Sequence, residues 1–471
     1  MNFNRYGHVA GIIVYCLIVL PFSIKSQNVD QAELLSHWKV DTIPGSFTFD
    51  NAYNEIWGYA KNENEYAIIG STLGTHIIDV TNPSNIEELF FVAGAVSNPQ
   101  IIHRDYHDYK DYLYAVADEG ANSTLQIIDL SNLPESIEVV FDDNALIYRA
   151  HNIFIDTAQA LLYGCITGGS DPVNNFVPLR VFDLTDPINP IVVNSINSID
   201  GVPFSQVHDA YVRDGIAYLN CGPTGFNIAD FNDPMNPILL ANLTSSEYPQ
   251  AGYNHSGWLS TGGDYYYMAD ETHGMDMKVI DVTSLPDITV VDTIDAGSTS
   301  SFSIPHNQVV AGDYLYASYY YDGLQVYDIS DPSSPIRILE YSTTEIPHSN
   351  TYEGAWGVYP LLPSGNILVS DMQEGLFVVK GPEAVTANQS IQSPQLDFTI
   401  FPNPAMDLIS VNTFNKNYKE LKLIDMMGRV LFSSLSNEHI HTISTNSLQS
   451  GMYTLHVMEG TKSFSKLFVK I

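Results

Sequence analysis

Asp313-Tyr-Leu-Tyr-Ala-Ser-Tyr319, then Asp322-Gly323, then Leu324-Gln-Val-Tyr-Asp-Ile329 and the turn Ser330-Asp-Pro-Ser-Ser-Pro335 make up the clearest copy of a unit that recurs seven times between Asn54 and Lys380. Each copy holds short runs rich in β-branched and aromatic residues, bounded by Gly, Pro, Asn and Asp, which read as strands. A period of roughly 50 residues with several strands per copy is that of a β-propeller blade, a unit that must stack on neighbours to bury its faces. No stretch beyond the N-terminal segment keeps a helical period, so the class is all-β.

Working outward, the third strands repeat as His76-Ile-Ile-Asp79, Gln126-Ile-Ile-Asp129, Val181-Phe-Asp183, Ile228-Ala-Asp230, Val279-Ile-Asp281 and Val326-Tyr-Asp328. Each terminal aspartate precedes Ser, Thr or Asn and is expected to close a turn on nearby backbone N–H groups. Calcium there is the less favoured reading. The seventh copy, from Glu353 to Lys380, lacks a fourth strand, whereas Leu34-Leu-Ser-His-Trp-Lys-Val-Asp-Thr-Ile-Pro44 reads like the outer strand of blade six. The N-terminal strand is therefore expected to complete blade seven, giving a seven-bladed β-propeller with a closed ring.

Composition marks the other divisions. Residues 1–26 place Arg5 before an apolar run that is short for a membrane span, and they read as a secretory signal peptide, with a transmembrane anchor as the alternative. The propeller is assigned to residues 27–380, a linker to 381–395, and a small C-terminal β-sandwich to 396–471. Residues 27–395 hold 10 Lys and Arg against 48 Asp and Glu, whereas the C-terminal segment is nearly balanced. Such an acidic body repels nucleic acid and favours cations or basic partners, although part of that charge serves solubility. Cys165 and Cys221 occupy matching strands and read as buried free thiols, with a disulfide as the alternative.

The C-terminal segment opens with Phe398-Thr-Ile-Phe-Pro-Asn-Pro404 and continues through Asp425-Met-Met-Gly-Arg429 and Ser450-Gly-Met-Tyr453 to a basic end. It closely resembles the C-terminal sorting domain of the type IX secretion system. That resemblance implies engagement of the type IX machinery and a secreted or outer-surface location, with no transmembrane helix in the mature chain. Gly252-Tyr-Asn-His-Ser-Gly-Trp-Leu259 with Asp270-Glu271, Pro305-His-Asn307, and Gly354-Ala-Trp-Gly-Val-Tyr-Pro360 resemble the choice-of-anchor B family, extracellular propellers of LVIVD-type repeats. This second resemblance brings no activity or catalytic residue.

His151, His208, His255 and His306 each stand at or just before the first strand of their blades. First strands line a propeller's axis, so these imidazoles form a candidate site for a transition-metal ion. Aligning Asp111-Tyr-Leu-Tyr114 with blade six puts Arg104 at this place in blade two. Glu55 and Glu353 stand near it in blades one and seven, and with Asp105 and Asp209 are candidates to orient the imidazoles. The alternative is one structural histidine per blade, binding a turn of its own sheet. Tyr265-Tyr-Tyr267 and Tyr319-Tyr-Tyr321 read as alternating core and surface positions, whose outward rings offer weak sugar-stacking candidates.

No Gly-x-Ser-x-Gly elbow, His-Glu-x-x-His helix, phosphate loop or paired-Cys zinc motif is present, so catalytic residues are not assigned. Two readings follow. One is a binding module for an extracellular glycan, peptide or protein; the other is a metal-dependent enzyme, an oxidoreductase among the options.

Overall fold

The computed structural model describes residues 29–120, 122–169 and 176–382, and in the C-terminal segment 399–401, 405–412, 419–425, 430–436, 440–446, 448, 451–459 and 462–470. The signal peptide assigned to 1–26, most of the 381–395 linker, and the Pro402-Asn-Pro404 and Met426–Arg429 landmarks lie outside the described residues. Among the described residues no helix is long and apolar enough to cross a membrane.

Seven antiparallel sheets follow one another along the chain. Their innermost strands are Tyr53–Lys61, Arg104–Tyr109, Asn152–Asp156, Asp209–Arg213, Asn254–Leu259, Gln308–Ala311 and Ala355–Tyr359. Each touches the next in order, and Ala355–Tyr359 touches Tyr53–Lys61, so the ring is closed. Closure is made as the sequence predicts. Leu34–Trp38 pairs antiparallel with Gly375–Val379 as the fourth strand of blade seven, with Trp38 opposite Leu376. Just before it, Asp30–Gln31 pairs in parallel with the outer strand of blade six.

The blades are held by what lies between them. Leu161, Tyr163 and Val181 of blade three pack with Ala217, Ala229 and Phe231 of blade four, and comparable clusters fill the other junctions. Each fully buried Leu, Ile or Val contributes about 1.5–3 kcal/mol. Middle strands are therefore covered on both faces: Ala355–Tyr359, Ile367–Asp371 and Gly375–Val379 are buried at every residue. The tyrosine expectation is corrected as well: Tyr319 is buried at the end of its strand, and Tyr320 and Tyr321, just past it, are buried in a cluster with Ile304, Trp356 and Met372, so none offers an outward ring. Cys165 and Cys221 are free thiols in the junction of blades three and four, and burial pushes the Cys221 thiol up to about 12.

At the rim, six aspartates behave alike. Asp79, Asp129, Asp183, Asp230, Asp281 and Asp328 each accept the backbone N–H two residues on, at 2.6–2.9 Å. The register shifts just before each of them, a bulge that twists the blade edge.

The C-terminal unit, residues 385–471, is a separate compact body. A three-stranded sheet (Thr399–Phe401, Leu408–Asn412, Ile440–Ser444) and a four-stranded one (Val430–Ser436, Lys419–Asp425, Gly451–Glu459, Lys462–Lys470) share a core that includes Ile409, Val411, Leu423, Leu455 and Phe468. Two sheets on one apolar core make a β-sandwich.

Candidate functional site at the propeller hub

His151, His208 and His306 stand at one level because their backbone N–H groups make the same bond, to Cys165, Asn220 and Ser318 carbonyls at 3.0, 2.7 and 2.9 Å. His255 reaches that level on a bulge between Asn254 and Ser256. Trp356 does so on the equivalent bulge between Ala355 and Gly357.

The resulting side chains form a closed ring. Centroid separations run 4.7 Å (His103–His151), 4.1 Å (His151–His208), 4.2 Å (His208–His255), 4.4 Å (His255–His306), 4.4 Å (His306–Trp356) and 5.2 Å (Trp356–His103). Blades two to seven each supply one member.

Two placements differ from the sequence expectation. Arg104 does not face the axis: its guanidinium turns into the crevice beside blade one, donating to Ser71 O at 2.7 Å and Val96 O at 2.9 Å. A group with five donors settles where carbonyls are, and His103, one residue earlier, takes the axial place. Glu353 also lies off the ring, bonded by Tyr321 and Thr351 in the loop before blade seven. Blade seven puts Trp356 at the histidine level instead.

The residues that follow His151, His208, His255 and His306, together with Asp105 and Glu55, face a second level beside the ring. Glu55, Asp105, Asn152, Asp209, Ser256 and Asn307 line a cavity of about 60 Å³ there, with Gln308. That is room for a few waters. Aromatic contacts among Trp57, His107, Phe154, Tyr211, Trp258 and Tyr359 close its floor. Asn307 donates to Glu55 at 2.7 Å, and Asp105 accepts the Ile153 N–H at 2.6 Å. Burial, then the charge of Asp209, pushes the Glu55 carboxyl up to about 7. Burial alone does the same for Asp209, and burial with Glu55 holds Asp105 well above the usual range.

The ring nitrogens are sorted by their partners. His208 Nδ1 donates to His255 O at 3.1 Å and His306 Nδ1 to Trp356 O at 2.6 Å; a carbonyl only accepts, so Nδ1 carries the proton and Nε2 a lone pair. His151 Nδ1 meets Asp118 at 2.9 Å, and His103 Nδ1 meets Glu119. Orienting bonds of this kind on the far nitrogen are what metal-binding imidazoles use. His255 Nε2 lies 3.6 Å from Glu271 Oε2, while Tyr320 donates to Glu271 Oε1 at 2.6 Å.

Electrostatics divide the ring in two. Burial, then neighbouring imidazoles, hold His208 and His255 well below the usual range, and burial takes His306 to about 3. Against the same burial, the Asp118 hydrogen bond and charge lift His151 above its ordinary value. Asp118 is itself held low by His151, His103 and Arg149 although burial opposes it. Two groups have donor atoms within 4.8 Å of one another, close enough to share an ion: His208, His255 and Glu271, and His103, Asp118 and His151. His306 belongs to neither.

His103, Trp356, Asp118, Glu119 and Glu271 were not reached from sequence spacing. A signal exists for the acids: Ala117-Asp-Glu119 and Ala269-Asp-Glu271 both end second strands, at the end of the sheet where first strands begin.

Comparison with known proteins agrees with this architecture. Residues 399–470 match the secretion system C-terminal sorting domain, and residues 307–343 match the LVIVD repeat. No curated protein matches the chain. The periplasmic gluconolactonase PpgL of Pseudomonas aeruginosa aligns with a TM-score of 0.50 and 11% identity, over 83% of this chain and 99% of that one. A putative 6-phosphogluconolactonase from Bacteroides uniformis aligns at 0.46 with 10% identity, over 83% and 98%. PorZ, a surface component of the type IX secretion system of Porphyromonas gingivalis, aligns at 0.43 with 13% identity over 92% of this chain, which spans 61% of PorZ. At these identities the likeness is one of fold alone. The chain is thus a β-propeller with an LVIVD repeat at residues 307–343, carrying at its C-terminus the sorting domain of proteins that type IX secretion exports to the cell surface or extracellular space.

Proposed function

We propose that this exported propeller is a binding protein whose hub takes a small cationic ligand. The observation that carries this reading is the closed ring of five imidazoles and one indole at the axis. Its Nδ1 atoms are largely committed to oxygen acceptors, so the lone pairs of neutral Nε2 atoms are what the hub offers. Asp118, Glu119 and Glu271 stand at the second-strand ends around it, and Glu55, Asp105 and Asp209 line the cavity beneath. The cationic side chain that touches this wall, Arg149, is already bound to Asp118 at 2.6 Å. A formal charge of −35 steers cations toward the chain and anions away. The indole face of Trp356 adds a further attraction for a cation.

A metal-dependent enzyme is the second reading, favoured by the His208, His255 and Glu271 group. A fold shared with lactonases brings no activity with it.

The test is a thermal-shift and calorimetric panel on the tag-free chain, using divalent metals, organic ammonium ions and peptides ending in Lys or Arg. At least one class should bind at micromolar levels and lose that binding in His208→Ala. No stabilisation by any class at millimolar levels would rule the reading out.

A further inference from the structure

The two three-donor groups at the hub look alike by composition but differ in what already occupies them. In the first, both oxygens of Asp118 are taken: Oδ1 accepts two bonds from Arg149, at 3.0 and 2.6 Å, and Oδ2 faces His151 Nδ1 at 2.9 Å. An ion bound there would displace these bonds and sit beside a guanidinium. Coulomb repulsion and lost hydrogen bonds both oppose it.

The second group carries no such obstacle. His208 keeps Nε2 free because Nδ1 is bonded to His255 O. His255 is 4% exposed, and its Nε2 faces Glu271. Glu271 is held at one oxygen by the buried Tyr320 hydroxyl, leaving Oε2 3.6 Å from His255 Nε2. The backbone beneath it is rigid. Glu271 N–H donates to Tyr253 O at 2.9 Å, and Asp270 accepts Gly252 and Tyr253 N–H groups at 2.7 and 2.8 Å while meeting the fully buried Lys278 at 3.3 Å.

We propose that His208 Nε2, His255 Nε2 and the Glu271 carboxylate are the protein ligands of a divalent transition-metal ion at the mouth of the hub. Two imidazoles and a carboxylate suit a borderline first-row ion such as zinc, cobalt or nickel. Bonds of about 2.1 Å ask for donor separations under about 4.2 Å. The His255 Nε2–Glu271 Oε2 pair meets that already, and one ring nitrogen of His208 lies within 4.8 Å of a donor atom on each of the other two residues. Three protein ligands leave further positions for water or a second ligand. Tyr320 is a positioning residue, acting on the metal through Glu271.

This inference rests on the cation-binding reading of the hub, and one experiment separates the two. The tag-free full chain, stripped with chelator and dialysed, is titrated with zinc by calorimetry and with cobalt(II) by visible spectroscopy. One equivalent should bind, with cobalt d–d absorption of a four- or five-coordinate site. Glu271→Gln, which keeps the Tyr320 hydrogen bond and the fold, and His255→Ala should each weaken binding more than about a hundredfold, and Tyr320→Phe about tenfold. Asp281→Ala, on the rim, should leave affinity within about threefold, since that aspartate closes a turn on its own blade edge. Equal affinity in Glu271→Gln and wild type, or no binding at millimolar metal, overturns the metal site. If organic ammonium ions or peptides ending in Lys or Arg bind while metals do not, the metal site falls and the cation-binding reading stands; if none of the three classes binds, both fall.

Discussion

At the rim, Asp79, Asp129, Asp183, Asp230, Asp281 and Asp328 close six turns by the same bond, to the backbone N–H two residues on; at the hub, one level of the ring carries histidine in five blades and tryptophan in another, with differing partners. His103 and His151 lean on carboxylates, whereas His208 and His306 lean on backbone carbonyls. A rim aspartate serves its own blade and needs nothing from a neighbour. A hub residue is defined by the blade next door: His208 donates to His255, His306 to Trp356, and Asn307 of blade six to Glu55 of blade one. Repetition therefore marks what each blade does alone, and divergence marks what the blades do together.

The comparison breaks most readily at Glu55. Its folded value near 7 exceeds the ordinary 4.5, so between those pH values the unfolded chain ionises while the folded hub resists. Stability from this group is lost as pH rises through that window and is recovered below it. Glu55→Gln should remove the loss, making the variant up to about 3 kcal/mol more stable than wild type at pH 8 and no more stable at pH 4. Denaturant melts at the two pH values check this, and parallel pH profiles for both proteins would contradict it.

Next in size is the charged half of the ring. Asp118→Asn removes the partner that lifts His151 most, leaving burial opposed only by the more distant charges of Glu119 and Glu271, so the imidazole should titrate at lower pH. Histidine NMR titration reads the shift directly; an unmoved His151 would mean that Asp118 is not its controlling partner.

The rim should respond least. Asp281→Ala ought to cost about 1 kcal/mol, as loss of a side-chain cap on one turn does, with no change in hub titration. Asp183→Ala and Asp328→Ala, on separate blades, should add to within about 0.5 kcal/mol. Marked non-additivity would show that rim turns communicate, contrary to the contrast drawn here.

Most of the fold was legible because rim and blade chemistry is local. Asp-Ser/Thr turns, β-branched third strands and the resemblance of residues 34–44 to an outer strand all report on single sheets. The hub was legible only in part. Four histidines shared a place in their strands, yet Arg104 and His103 compete for the same place in blade two, and spacing cannot say which side chain finds better acceptors. Glu271 stands 16 residues from His255 and meets it only through the pairing of Asn254 with Asp270. Tyr319 to Tyr321 misled because the strand ends at Tyr319, and the two rings beyond it are covered by Ile304, Trp356 and Met372 from distant parts of the sequence, which alternation along one strand does not report.

His103, His151, His208 and His306 are held at the hub by Nδ1, and His208 and His306 present a bare Nε2. Selective ¹⁵N labelling of histidine with long-range ¹H–¹⁵N correlation at pH 7 tests this arrangement most directly. His208 and His306 should appear as neutral rings protonated at Nδ1, with Nε2 bare. A proton on Nε2 of either, or two doubly protonated rings, would contradict it.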